Sequence, residues 1–256
     1  MKTGNINVYL VLIAIISVAL ETPAVQGKDA LPSFLKICRR SDTKLKECMK
    51  ESIETLRPLL VDGIPEFDIP SIEPLIIPEV IIDQGNGPVS VKSIYRDINV
   101  HGPSEFVIKN VRFDFDKDKV KVKIWFPWLQ VNTNYSMDGR ILMMPIKGSG
   151  LSYGNYTDID ATVSMKAQRL QKGNETFYNI KDFFVDFNIG KASLFFDNLF
   201  NGEPQLGEAM NLFLNDNWKS VSKEIKPVLE DTIAKIFKKF SNKIFHKYPI
   251  RVLFPE

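Results

Sequence analysis

The middle of the chain alternates apolar and polar side chains with a period of two, the pattern of strands that have one buried face. Turn-forming residues separate the alternating segments at positions 102–103, 116–118, 148–150 and 172–174. Further strands are predicted at 89–100, 105–115 and 135–146. The pattern predicts a long antiparallel meander with one apolar face. Its candidate inward side chains in three of the segments are Val122, Ile124 and Phe126, then Val163 and Met165, and then Phe183, Val185 and Phe187.

From about residue 204 to residue 245 the apolar residues recur every three or four positions, the spacing of an amphipathic helix. At 1.5 Å per residue this helix would be about 60 Å long, so a sheet has to curl along it to cover its apolar stripe. We expect a kink or short break at Pro227. The predicted fold class is α+β. Inward positions near the start of the helix are Met210, Phe213, Leu214, Trp218 and Val221.

The first 27 residues have the pattern of a secretory signal peptide. Lys2 precedes an apolar run over residues 8–20, which is shorter than the roughly 20 residues that span a bilayer as a helix. Small residues just before Lys28 offer a cleavage site. An uncleaved anchor or a buried helix are the alternatives. We expect residues 28–256 to form a monomeric, single-domain protein that is secreted into haemolymph or another extracellular fluid.

Two cysteines, Cys38 and Cys48, are expected to form one disulfide in an exported protein. A continuous helix would hold them about 15 Å apart, whereas linked Cα atoms lie about 4.4–6.8 Å apart. The chain must therefore reverse between them. We place the turn at 41–42, between a short helix over 31–38 and a longer one over 43–60. A reactive thiol or a metal ligand is the alternative, and it lacks supporting His or Cys residues.

Three glycosylation sequons follow the candidate signal peptide and begin at Asn134, Asn155 and Asn174. Such triplets also arise by chance, but three of them in a β-rich stretch indicate surface turns at these positions. We expect at least one asparagine to carry a glycan.

Composition limits the classes of function. With 44% hydrophobic and 25% charged residues the chain can build a sizeable core. The net charge of +2 comes without a concentrated basic footprint, which argues against nucleic acid as a partner. Neither the H-E-x-x-H zinc motif nor the phosphate-loop motif occurs, so we predict no metal and no cofactor.

One segment matches the esterase pattern G-x-S-x-G, with Ser152 as its serine. That pattern works where a strand enters and a helix leaves, so that the serine sits on a strained turn. Strand-like alternation follows here instead, and of the two histidines only His246 lies downstream as a base. The sequence therefore predicts no catalytic residues, and a secreted esterase remains a remote alternative.

A run of basic side chains near the C-terminus could contact anionic lipid headgroups. The simpler interpretation is a solvated helix face whose cations complement the helix dipole. A membrane-active or signalling protein is therefore a second hypothesis beside a soluble carrier. The run consists of Lys235, Lys238, Lys239, Lys243, Lys247 and Arg251.

Several motifs resemble the insect takeout/juvenile hormone-binding protein family, over nearly all of the chain beyond residue 27. They include the paired early cysteines, the segments 56–60, 63–70 and 73–75, then 197–202, 206–207 and 215–218, and the ending 248–256. The resemblance implies a long helix wrapped by a strongly curved antiparallel sheet, as in tubular lipid-binding proteins. It also implies an internal tunnel for a hydrophobic ligand such as an isoprenoid, a fatty acid or another lipid. The thirteen inward residues given above are the candidate tunnel lining.

We predict that the secreted protein begins near Lys28 and contains no free thiol. Alkylation of the native protein without reductant, followed by mass spectrometry, measures both properties. An N-terminus within residues 1–20, or two alkylated cysteines, would contradict the prediction.

Overall fold

The computed structural model describes residues 31–84 and 87–256, of which residues 33–256 form one compact unit. The predicted signal peptide lies outside the described residues. The strands are β1 (Leu75–Gln84), β2 (Val89–His101), β3 (Val107–Asp114), β4 (Lys119–Ile141), β5 (Met144–Lys172) and β6 (Glu175–Phe196). They form one antiparallel sheet in the order β1-β2-β4-β5-β6. Strand β3 pairs with the part of β4 that β2 leaves free.

The predicted antiparallel meander is confirmed, but three of its strands are longer than the sequence indicated, and the strand predicted at 135–146 is wrong because the turn between β4 and β5 lies at 142–143. Strands β4, β5 and β6 contain 23, 29 and 22 residues. The turn predicted at 148–150 is wrong, because these residues lie inside β5. Gly148 is needed there for a close approach and not for a turn, since an added Cβ would lie 2.8 Å from the Tyr135 hydroxyl and 3.0 Å from Leu199 Cα.

The three long strands share an irregularity at mid-length. Pro127 of β4, Asp158 of β5 and Gly190 of β6 lie side by side, and the pairing register passes over them. Asp158 has a φ of 56°, and a Cβ on Gly190 would lie 2.8 Å from the Cβ of Asp158. At these residues the alternation of inward and outward side chains shifts by one position. Inward side chains therefore have even numbers on one side of the irregularity and odd numbers on the other. Such irregularities bend strands and re-aim their side chains.

The helices are α1 (Leu45–Asp62), α2 (Pro204–Asp216), α3 (Trp218–Phe245) and the short α4 (Ile250–Leu253). Among the described residues, none of them is long and apolar enough to cross a membrane. The helix predicted over 31–38 is wrong, since turn and irregular backbone occupy that segment. Within residues 31–84 one helix therefore lies at the disulfide, where the sequence predicted two.

The C-terminal helix is interrupted at Asn217, and the helix does not break at Pro227. Asn217 has a φ of −110° and a ψ of 13°, and both its backbone N–H and its side-chain amide donate to the Phe213 carbonyl. Its own carbonyl accepts the N–H of Val221 in the first turn of α3. Pro227 lies within α3, which continues through it. An asparagine that bonds to both helices can end one and begin the next.

The disulfide between Cys38 and Cys48 is confirmed, with 5.9 Å between the two Cα atoms. The chain reverses between them as the spacing requires. The Asp42 carboxylate accepts the N–H of Lys44 at 2.8 Å, and the Asp42 carbonyl accepts the N–H of Leu45. These bonds start α1 directly after the turn, and Gly63 with a φ of 89° ends it.

The sheet curves around α3, as its contacts with both ends of the strand order show. Ile225, Val228 and Leu229 pack against the buried side chains of β1 and β2. One residue further on, the Glu230 carboxylate accepts the backbone N–H of Phe187 in β6. Because β1 and β6 are the two opposite edges of the sheet, one stretch of helix can reach both only if the sheet wraps around it.

Side chains of α2 and α3 satisfy the free edge of β6. Asn211 accepts the N–H of Phe196 and donates to its carbonyl, and Asn215 does the same for Leu194. Asn242 accepts the N–H of Ile180. Four helix residues rise about 6 Å and two strand residues about 6.6 Å, so Asn211 and Asn215 match alternate strand positions. An open strand edge is a site for unwanted pairing, and these amides occupy it.

We predict that Asn215→Ala destabilises the fold by about 1–3 kcal/mol, because it leaves the N–H and the carbonyl of Leu194 without partners. Asn215→Asp should also destabilise the fold, since its carboxylate still accepts the N–H but places an acceptor against the Leu194 and Asn211 carbonyls. Denaturant unfolding measures the free energy, with Glu208→Ala on the exposed face of α2 as the control. Equal unfolding midpoints for Asn215→Ala and Glu208→Ala would show that the edge bonds do not stabilise the fold.

Candidate ligand-binding face

The eight inward strand residues predicted from the sequence lie together on one face of three neighbouring strands. Val122 of β4 pairs with Val163 of β5, which pairs with Val185 of β6. Met165 pairs with Phe183, and the row from Ile124 to Phe187 runs through Ala161. We call this set the inner patch: Val122, Ile124, Phe126, Val163, Met165, Phe183, Val185 and Phe187.

Helices flank the inner patch on both sides. Met49 and Ile53 of α1 pack on the apolar cluster of β3 and β4 that includes Val122. On the other side α3 follows the edge of β6. Val122 is buried at 8% exposure, whereas the other seven residues of the inner patch are only half-buried. The patch therefore faces inward without being sealed by its neighbours.

The five helix residues predicted beside these strands lie at the other end of the sheet. Met210 and Leu214 are 2% and 1% exposed, in a closed core with residues of β2, β4 and β5, and Val221 belongs to the same core. Phe213 packs on that core from its margin, and Trp218, the first residue of α3, is half-buried. The part of the helix opposite the inner patch lies between Glu230 and Asn242, which bond to Phe187 and Ile180.

Three interior tyrosines did not enter the sequence prediction. Tyr95 pairs with Tyr135 across β2 and β4, and the ring of Tyr156 lies over Gly154. Burial raises the pKa of Tyr95 and of Tyr156 above the ordinary value. Burial, followed by the Asp197 carboxylate and Tyr95, raises the pKa of Tyr135 to about 12. All three phenols are therefore neutral hydrogen-bonding groups at physiological pH.

A signal for two of these tyrosines was present in the sequence. Tyr135 and Tyr156 are the middle residues of two sequons, so strand alternation turns them inward wherever the asparagine faces solvent. The Tyr135 hydroxyl donates to the Asp197 carbonyl at 2.5 Å. Tyr95 forms a hydrogen bond with Ser93. Tyr95 and Tyr156 remain partly accessible although their hydroxyl groups lie deep in the protein.

A small cavity of about 30 Å³ borders the inner patch at Met165. The ring of Phe254, just after α4, packs on Phe113, Phe115 and Tyr178 beside it. The C-terminal segment thus covers this end of the inner face.

Ser152 does not have the geometry of an esterase nucleophile. It is buried in the middle of β5, paired with Thr133 and Phe196, and no strand-to-helix turn follows it. His101 lies two strands and three residues away, about 14 Å by strand geometry. His246 bonds to Asn179 beyond the end of α3. Among the described residues, moreover, no group of His, Cys, Asp and Glu could hold a metal ion.

The basic run near the C-terminus is largely paired within the fold. Lys235 pairs with Asp231, Lys243 with Asp68, Lys247 with Glu66 and Arg251 with Glu175. Lys238 donates to the Lys181 carbonyl. These contacts favour the simpler interpretation, a solvated face held by ion pairs, over a surface that binds headgroups.

All three sequon asparagines are exposed, but only Asn174 lies in a turn. The turns predicted at Asn134 and Asn155 are wrong, because both residues lie inside long strands and face outward. Their hydroxyl partners, Ser136 and Thr157, face outward as well.

Comparison with known proteins gives a consistent result. The chain matches the family model described as haemolymph juvenile hormone binding protein over residues 10–255. The Drosophila melanogaster circadian clock-controlled protein daywake is 24% identical over 259 residues, which cover 97% of each chain. A putative beta-carotene-binding protein of Schistocerca gregaria is 21% identical over 209 residues, 81% of this chain and 82% of that one.

The fold is also found among solved structures. The crystal structure of Epiphyas postvittana Takeout 1 superposes with a TM-score of 0.74 at 27% identity, over 86% of this chain and all of that one. The resemblance noted in the sequence and the predicted curved sheet with its long C-terminal helix are thereby confirmed.

We predict that Ser152→Ala leaves any weak ester hydrolysis by the purified protein unchanged, because the serine lacks both an exposed turn and a base. Hydrolysis of a chromogenic short-chain ester, compared between variant and wild type, measures this. A loss of about 100-fold, the scale of general-base catalysis, would instead identify Ser152 as a nucleophile.

Proposed function

Because the chain belongs to the haemolymph juvenile hormone binding protein family, we propose that it carries a hydrophobic small molecule between its curved sheet and its helices. The family is one of binding proteins and not of enzymes. We extend this to the chain itself, as a non-catalytic carrier whose ligand space is bordered by the inner patch and by the stretch of α3 between Glu230 and Asn242.

The observation that carries the proposal is the contrast between the two ends of the inner face. Around Met210 and Leu214 ten side chains form a buried core, with half-buried residues such as Tyr95 packed against it. The side chains of the inner patch are just as apolar and also face inward, yet seven of the eight keep solvent-accessible surface. A uniformly filled core would bury both ends alike. Inward surface that is not buried by protein atoms is what a bound lipid would cover.

The interior tyrosines supply the polar contacts that such a site needs. Ligand pockets are mostly apolar and contain a few placed polar groups that orient the ligand. Tyr156 is neutral, keeps accessible surface and lies three residues along β5 from Ile159, the partner of Phe126 in the inner patch. Tyr95 is also neutral but lies further along the sheet, beside the closed core around Met210, so only a long ligand could reach both. A ligand with one oxygen function on a long apolar body would match them.

From this chemistry we infer that the ligand is an isoprenoid, a fatty acid or a related lipid. Burying apolar surface is worth about 25 cal/mol per Å², enough to hold a chain of about fifteen carbons out of water. One relative is named a putative beta-carotene-binding protein, and beta-carotene is an isoprenoid. Pockets for such molecules measure about 300–1,000 Å³. Uptake therefore requires side chains such as Met165 and Phe254 to move away from the small cavity between them.

A carrier of this kind works outside the cell. The signal-peptide pattern over residues 1–27 supports export, and the disulfide between Cys38 and Cys48 is suited to an oxidising compartment. We infer a secreted monomer that protects its ligand from water and releases it elsewhere.

We predict that Val163→Trp weakens uptake of a long-chain fluorescent fatty acid by tenfold or more, about 1.4 kcal/mol. Val163 is the central residue of the row from Val122 to Val185, so an indole there fills the space beside all three strands. Titration of delipidated protein with the probe measures affinity, and thermal unfolding measures stability.

The matched control is Ser164→Trp, which adds the same ring at the next residue, on the opposite face of β5. It should bind the probe as the wild type does. If delipidated wild-type protein binds no hydrophobic probe, the carrier function is wrong. If Val163→Trp binds normally while folded, the ligand does not lie on the inner patch.

A further inference from the structure

The outer face of β5 and β6 exposes a group of apolar side chains that the carrier function does not use. Leu151 and Tyr153 of β5 are 45% and 39% exposed, and Phe195 of β6 is 50% exposed. Tyr153 pairs with Phe195, and their ring centroids are 6.3 Å apart. Leu151, Tyr153 and Phe195 form the outer patch.

The outer patch extends towards α2. Phe195 lies between Leu194 and Phe196, whose backbone groups bond to Asn215 and Asn211. Leu212 lies on the same turn of the helix and is 63% exposed. Single exposed apolar residues are normal in soluble proteins, but contiguous ones mark a surface that something covers.

Two sequon asparagines frame the outer patch. Asn134 of β4 lies directly opposite Leu151, so their Cβ atoms are about 5 Å apart. Asn155 is two residues from Tyr153 on the same face of β5, about 6.6 Å along the strand. Both asparagines are exposed, and so are the hydroxyl residues of their sequons, Ser136 and Thr157. Strand geometry thus presents amide and hydroxyl on one open face.

We propose that N-linked glycans at Asn134 and Asn155 cover the outer patch and keep copies of the chain from associating through it. A sugar attached at either position begins within about 7 Å of an exposed apolar side chain. The apolar faces of sugar rings pack well on aromatic rings such as those of Tyr153 and Phe195. This proposal and the proposed function have one requirement in common, which is that the chain is exported, because glycans are added in the secretory pathway.

The third sequon provides an internal comparison. Asn174 lies in the turn between β5 and β6, nineteen residues from Asn155, which is about 60 Å along an extended strand. A glycan there cannot reach the outer patch. The two roles of a glycan, general solubility and cover of this surface, can therefore be separated within one molecule.

The experiment uses the full chain secreted from eukaryotic cells. Glycopeptide mass spectrometry first reports occupancy of Asn134 and Asn155. A double variant, Ser136→Ala with Thr157→Ala, removes both sequons and keeps the asparagines, including the bond from Asn134 to Asp97. Asn174→Gln is the control. Light scattering across a concentration series then measures the mass of each protein.

We expect both sites to be occupied, and the double variant to approach about twice the wild-type mass, as a symmetric dimer would. Asn174→Gln should keep the wild-type mass. Adding Tyr153→Ser and Phe195→Ser to the double variant should restore the wild-type mass. Should the double variant fail to be secreted, trimming the glycans from folded wild-type protein with an endoglycosidase should produce the same increase.

Three results would overturn the proposal: unoccupied Asn134 and Asn155, a glycan-free protein that keeps the wild-type mass, or association that persists without Tyr153 and Phe195. Fatty-acid probe affinity should be equal in all these variants, because the outer patch lies on the opposite side of the sheet from the inner patch. Loss of probe binding would concern the carrier function and not the glycans.

Discussion

The free edge of β6 is the constraint on which the rest of the fold depends. A curved sheet that does not close into a barrel leaves a row of unpaired backbone groups at its last strand. Asn211, Asn215 and Asn242 bond to this row from the neighbouring helices, and Glu230 adds a fourth contact. These contacts fix where the helices run along the sheet. They therefore determine which inward strand residues are covered by a helix and which are not.

The position of α3 produces the contrast on which the proposed function rests. The helix lies between the two edges of the sheet, with Ile225 and Leu229 towards β1 and β2 and Glu230 towards β6. Together with α1, which packs over β3, it leaves part of the inward face of β4, β5 and β6 incompletely covered. The inner patch is that part of the face. A carrier needs such a surface, because a ligand can only replace contacts that the protein does not make with itself.

The two faces of β5 illustrate how one strand can serve different purposes. At one end of the strand Val163 and Met165 face inward and border the proposed ligand space. At the other end Leu151 and Tyr153 face outward, between two sequons. The change of phase at Asp158 separates the two halves, since it moves the inward positions from even to odd numbers. One irregular residue thus allows this 29-residue strand to bend while its apolar side chains stay on the inward face of the sheet.

Local pattern by itself determined a large part of this protein. Alternation identified the eight residues of the inner patch, because the period of a strand is fixed by its backbone whatever it packs against. Cysteine spacing required the reversal before α1 for a similar reason, since disulfide geometry is narrow. Motifs in the chain indicated the family, and helical spacing indicated the long C-terminal segment.

Tertiary structure decided what local pattern cannot encode. Met210 and Leu214 have the same apolar spacing as the helix residues opposite the inner patch, yet they lie in a closed core, because only the edge bonds to β6 set their position along the sheet. The sequence suggested that Gly148 belongs to a turn. A glycine is needed there because the Tyr135 hydroxyl and the Leu199 backbone pack against it. The break at Asn217 depended on bonds to residues of both helices, whereas Pro227 fits within one. For Met210, Leu214 and Gly148 a residue from elsewhere in the chain supplied the deciding contact, whereas the bonds at Asn217 are local.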